Sequence, residues 1–156
     1  GLPAPHRSYT WAARTSLADE HRAADHGGSA ASCADGRAAP ASRAGYAEAA
    51  AVVLLEDGHL GRIYELAGDA SLDYAALAAA AGEALGREVA YVPISHEEYV
   101  AALQGAGLDA ATAEFVASME DGIRGGVLGD TDGTLSRLIG RPTTPVVDTF
   151  RAALAG

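Results

Sequence analysis

The sequence predicts an α/β fold that is rich in helix, with packed helices around a short sheet, and three observations carry that expectation. Apolar residues make up 49% of the 156 positions but aromatics only 6%, so alanine dominates the interior and closely packed helices are the way to use it. Two short runs, RIYEL (Arg62–Leu66) and EVAYVPI (Glu88–Ile94), alternate polar and apolar residues with the period of a half-buried strand. One amphipathic helix joins them, giving a strand–helix–strand unit. The length fits a single domain over 1–156, with an arm, helix and loop over 1–35 and the main body over 36–156.

Taken in order, residues 1–10 read as a loose arm, and SLADEHRAADH (Ser16–His26) as a polar helix capped by Ser16. The small, Gly-rich stretch Gly27–Ser42 reads as a loop or linker. A helix is expected over Ala44–Glu56, with Tyr46, Ala50, Val53 and Leu54 on one stripe and Asp57-Gly58 ending it. Asp73 caps a helix that turns Tyr74, Leu77, Ala81 and Leu85 inward and closes at Gly86. Ser95 and Glu98 form a capping box for a helix through Leu103, and Asp109 caps another in which Phe115, Met119 and Ile123 recur every four residues. A short helix follows over Thr134–Ile139. The last starts at Pro145, with Thr144 as N-cap.

All 11 basic residues are arginine. Without lysine there is no Schiff-base chemistry, no phosphate-loop lysine and no Tyr-Lys dehydrogenase couple. A net charge of -10 repels a phosphate backbone and an anionic membrane alike, so neither nucleic acid nor membrane is expected as a partner. No apolar run reaches the ~18 to 20 residues that span a bilayer, and the start carries no signal-peptide core. Cys33 is the only cysteine, which excludes an intrachain disulfide and fits a reducing cytosol; a cytoplasmic protein is expected.

The run GDTDGT (Gly129–Thr134) imitates the opening of aspartyl-nucleophile phosphatases, with Asp130 as nucleophile and Asp132 as acid. That chemistry needs a later lysine, and the chain has none. The plain reading is a loop in which Asp132 caps the helix from Thr134. A calcium loop fails too, because Arg141 stands where the closing glutamate belongs. Gly122, Gly125, Gly126 and Gly129 follow no strand and do not spell GxGxxG. His6, His21, His26, His59 and His96 lack metal-ligand spacing, so no metal is expected. Glu20, His21 and Asp25 form the densest titratable group, a solvated helix face or a carboxylate-oriented base. Phe115 and Met119 share a face and read first as core, second as pocket.

From GRIYELAGD (Gly61–Asp69), through GEALGREVAYVPISHEEYVAALQGAGL (Gly82–Leu108), to LSRLIGRPTTPV (Leu135–Val146), the chain resembles the C-terminal half of NmrA-like atypical short-chain dehydrogenases, the quinone oxidoreductases among them. LADEHRA (Leu17–Ala23) is similar to the family's helix beside the nicotinamide. The resemblance implies a Rossmann-derived fold whose substrate-binding part lies over 36–156. It makes Glu20 and His21 the catalytic candidates, and Tyr91, Tyr99, Phe115 and Met119 the candidates for holding a flat aromatic or terpenoid-like ligand. Relatives have an aspartate where Gly45 stands, and their glycine-rich phosphate loop has no counterpart here, so no cofactor-binding residue and no required cofactor are expected. Three readings stay open: a small-molecule binding or cofactor-independent enzyme domain, an NADPH-dependent quinone oxidoreductase or its remnant needing a complementing Rossmann half, and a non-catalytic interaction protein. A homodimer is expected through Val52, Val53, Leu54, Leu55 and Ile63, which the Rossmann half would cover in a full-length relative.

Overall fold

Four short strands and six helices order the chain in a computed structural model that describes residues 29–155: β1 (Ser29–Ala31), β2 (Arg37–Ala38), α1 (Arg43–Leu55), β3 (Leu72–Asp73), α2 (Tyr74–Leu85), β4 (Tyr91–Pro93), α3 (His96–Gly105), α4 (Ala110–Arg124), α5 (Thr134–Ile139) and α6 (Val146–Ala155). β1 and β4 pair in parallel, Ser29 opposite Tyr91 and Ala31 opposite Pro93, while β2 and β3 pair antiparallel. The helices pack as α2 on α6, α3 on α4 and α1 on α5. The result is a helix-rich α/β fold with little sheet.

Local chemistry sets the helix ends. The Asp73 carboxylate accepts from the Ala76 amide at 2.8 Å, and α2 closes at Gly86, whose φ of 68° is left-handed and free of penalty only for glycine. Ser95 and Glu98 make the reciprocal capping box, at 3.2 and 2.8 Å. Asp109 caps α4 through Ala111 and Thr112. Asp132 accepts from the Thr134 amide at 2.8 Å, so the phosphatase-like run is a helix-capping loop.

Three expectations need correction. Arg62–Leu66 is not a strand: it runs without a ladder partner among the described residues, held instead by a 2.7 Å bond between His59 Nδ1 and the Tyr64 hydroxyl. Its alternation is real in burial, with Tyr64 and Leu66 half-buried and Ile63 out, but period two reports facing and not pairing. Glu88–Ile94 shortens to β4, and the strand it pairs with lies in the stretch read as a loop, where Ser29–Ala31 carries none of the β-branched signal. The inner stripe of α1 is Gly45 and Ala49 with Tyr46, Val52 and Val53 half-buried; Ala50 and Leu54 face out.

Three apolar clusters make the core. Leu135 packs with Ala41 and Ala49 beneath α1 and α5, and Phe150 packs with Ala81 between α2 and α6. Ala31, Cys33, Tyr74, Leu77 and Ile123 fill the centre.

The segments YELAGD and RPTTP, far apart in sequence, are tied to each other. The Asp69 amide donates to Thr143 Oγ1 at 2.9 Å, and the Thr143 amide donates back to Asp69 Oδ2 at 2.7 Å. Next to this lock the Gly68 amide donates to the Ala39 carbonyl at 2.9 Å, and Thr131 Oγ1 donates to the Gly68 carbonyl at 2.6 Å. The Thr143 amide, more than any other group, holds the Asp69 carboxyl below the usual carboxylate range. A depressed native pKa adds stability above the unfolded-state value and loses it as pH falls through the native one. Asp69→Asn is therefore expected to cost about 1 kcal/mol near neutral pH, with the difference vanishing in acid; urea unfolding at the two pH values checks it.

Candidate functional site

In open parallel sheets ligands gather at the carboxyl ends of the strands. Here that edge is where β1 and β4 end, and several buried polar side chains among the described residues collect there. Ser32 and Cys33 follow β1 directly, and both are buried. Tyr91 comes from β4, Tyr74 from the first turn of α2, and Glu120 from the inner face of α4.

The Tyr74 and Tyr91 rings lie 5.7 Å apart between centroids, inclined by 40°, a tilted offset pair of the kind that adds to simple burial. The Tyr91 hydroxyl donates to the carbonyls of Ala31 and Ala34, each at 3.3 Å, and stands 4.0 Å from Cys33 Sγ. Burial first, and then the Glu120 carboxylate, push the Cys33 thiol up to about 12. Burial likewise raises both phenols, with Glu120 the next cause at Tyr74 and Cys33 at Tyr91. Tyr99, on α3, is close enough to raise Tyr74 further. At neutral pH the thiol and the phenols are all protonated. Cys33 is therefore a poor nucleophile, since only a thiolate attacks.

Tyr91 also lines a groove of about 420 Å³ with Ala34, Asp35, Arg37, Asp73 and Ala75. That volume falls within the range of small-molecule sites, ~300 to 1,000 Å³. The Arg37 guanidinium is fixed at its rim by the Ser71 hydroxyl and carbonyl and by Asp73, 3.7 Å away. A larger depression, about 580 Å³, sits at the end of α2 between Glu83, Arg87 and Glu88, but has no aromatic wall and lies away from the cluster.

Of the residues singled out from sequence, Tyr91 packs against Tyr74, and Tyr99 acts on Tyr74 through its charge. Phe115 and Met119 do not join them: they are 66% and 48% exposed on the outer side of α4, in neither core nor groove, because Ala113, Ala117 and Ile123 take the inner face. Small residues there let α3 approach closely. Glu20 and His21 lie outside the described residues. Sequence reasoning missed Cys33, Tyr74 and Glu120 as a group. A glutamate in step with Ala113, Ala117 and Ile123, on a face otherwise apolar, is the signal that was available.

A nicotinamide nucleotide needs a seat for its pyrophosphate, usually an open helix N-terminus after a strand. The strand-to-helix junctions among the described residues do not fit one. The N-terminus of α1 is filled by Ser42, that of α2 by Asp73, and that of α3 by Ser95 and Glu98. At α2 and α3 the occupying group is a carboxylate, which repels phosphate.

No family model matches the chain. Quinone oxidoreductase 2 of Escherichia coli (strain K12) is 40% identical over 138 residues, 88% of this chain and 48% of that protein. The crystal structure of the E. coli NADPH-dependent quinone oxidoreductase complexed with NADPH superposes with a TM-score of 0.86 at 38% identity, covering 94% of this chain and 52% of that one. The Citrobacter sp. triphenylmethane reductase complexed with NADP(H) gives 0.78 at 31% identity, over 85% and 46%. The chain thus spans about half the length of the relatives it matches. No helix among the described residues is long and apolar enough to cross a membrane. Motifs, fold and relatives agree, and the chain is a homologue of quinone oxidoreductase 2 of Escherichia coli over about half of that protein's length.

Proposed function

We propose that this chain forms the acceptor-binding part of an NADPH-dependent quinone oxidoreductase and holds a flat aromatic acceptor against Tyr91. The observation that carries the reading is the Tyr91 ring, backed by Tyr74 and lining a groove of ligand size. The relatives support it: one reduces quinones and another triphenylmethane dyes by name, and both substrates are conjugated and planar enough to stack on a phenol ring. Arg37, already oriented by Ser71 and Asp73, has donors left for an acceptor carbonyl oxygen. Quinones add thiolates readily, so a neighbouring cysteine must be kept protonated, and burial beside Glu120 does that to Cys33. The strand-to-helix junctions within residues 29–155 do not fit the pyrophosphate of a hydride donor. No reduction step is assigned to these residues.

Titration calorimetry with a naphthoquinone tests this. Saturable binding is expected, and Tyr91→Ala should weaken it roughly tenfold, about 1.4 kcal/mol for one lost aromatic contact. Equal affinity in wild type and variant contradicts the site.

The reading includes a second copy of the chain as partner. Leu54, Leu55, Leu60 and Ile63, close in sequence at the end of α1 and after it, are 83%, 85%, 102% and 74% exposed, and a run of exposed large apolar side chains suits a protein–protein contact. Val52 and Val53, which the sequence pointed to as well, are half-buried. Light scattering is expected to give twice 15.7 kDa at micromolar concentration and Ile63→Glu to halve it; a monomer mass throughout contradicts the pairing.

A further inference from the structure

α3 carries Tyr99, whose charge acts on Tyr74, and α3 rests on α4. His96, in the first turn of α3, joins the two helices. Its Nε2 is hydrogen-bonded to Glu114 Oε1 at 3.1 Å, and its Nδ1 lies 3.0 Å from Asp121 Oδ2 as an ion pair, without the alignment of a hydrogen bond. A neutral imidazole has one N–H and one lone pair, so it cannot favour carboxylates at both nitrogens; only the imidazolium can. Asp121 is held from its other oxygen by Arg124, one turn on. On α3 itself Glu97 is exposed and Glu98 is occupied by the Ser95 cap. Glu114, Asp121 and Arg124 are the charged groups that α4 brings to this contact. Asp121 is also the neighbour in sequence of Glu120, the carboxylate beside Cys33. The clamp therefore sits between the two helices that supply Tyr99 and Glu120.

We propose that His96 is a positioning residue for the acceptor site: gripped between Glu114 and Asp121 as an imidazolium, it fixes α3, which carries Tyr99, on α4, which carries Glu120, and it lets go when it loses its proton. This rests on the acceptor-binding reading for its functional meaning, but the His96 clamp between α3 and α4 stands on geometry alone. The Glu114 hydrogen bond, ahead of the other causes, raises the affinity of His96 for its proton. A raised native pKa means the clamp is complete below the ordinary histidine value and is lost as pH rises through the native one.

Histidine and tyrosine ring resonances followed by NMR from about pH 6 to about pH 9 test the proposal on the intact chain. Tyr99 is expected to shift with the His96 midpoint, and naphthoquinone affinity to fall roughly threefold over the same interval, the scale of one partly exposed ion pair. Asp121→Asn should lower the midpoint, and His96→Gln should abolish both pH dependences while preserving the fold. A Tyr99 resonance that stays still while His96 titrates overturns the proposal, as does a pH dependence of Tyr99 unchanged in His96→Gln. Naphthoquinone failing to bind at any pH, with Tyr99 still tracking His96, supports the clamp and counts against the acceptor reading.

Discussion

Gly68→Ala is expected to lower stability by about 3 kcal/mol or more, enough to move the melting temperature by roughly 10 °C in a chain of this size. A methyl group at this position would lie 2.1 Å from the Pro40 carbonyl oxygen and 3.0 Å from its carbon. Both are backbone atoms, so no rotamer change makes room; the two segments must move apart. Separating them stretches the Gly68–Ala39 hydrogen bond and pulls on the neighbouring bonds to Thr131 and Thr143. Thermal denaturation followed by circular dichroism checks this. A loss below about 1 kcal/mol would mean that the YELAGD turn is not the close junction described above.

Phe150→Ala is expected to cost about 3 to 5 kcal/mol, the range for emptying a fully buried aromatic site. Phe150 has no exposed surface and fills the seam between α2 and α6, where its neighbours are Ala80, Ala81, Ala84, Val146 and Ala153. Alanines have no side-chain freedom with which to refill the hole, so the cavity persists. Phe150→Leu keeps most of the volume and should recover more than half of the loss. Urea unfolding of both variants measures the pair, and equal stability of Phe150→Ala and wild type would show that α6 is not part of the core.

These two positions also mark what could be read from sequence. Helix caps were legible because an Asp or Ser before an apolar-periodic run acts on amides two or three residues away, and Asp73, Ser95, Asp109 and Asp132 all do so. Strand pairing was not, because β1 is Ser-Ala-Ala and is made a strand by its neighbour β4, whereas RIYEL has the pattern and no partner among the described residues. Large apolar residues misled for a related reason. In a chain that packs helices through alanine, Phe115 and Met119 ride outside while Ala113 and Ala117 are buried, so side-chain size is a poor guide to the inner face. Of the proposed site, Tyr91 was singled out from the sequence and lines the groove. Cys33, Tyr74 and Glu120 meet only through tertiary packing, and no local spacing links positions so far apart.

The acceptor site is the central claim, and tyrosine-ring NMR during a naphthoquinone titration tests it most directly, because the six tyrosines, including Tyr46 and Tyr64 away from the cluster, report separately. The account predicts saturable shifts at Tyr91, Tyr74 and Tyr99 with Tyr46 and Tyr64 unmoved. Shifts confined to Tyr46 or Tyr64, or none at any of the six, would contradict it.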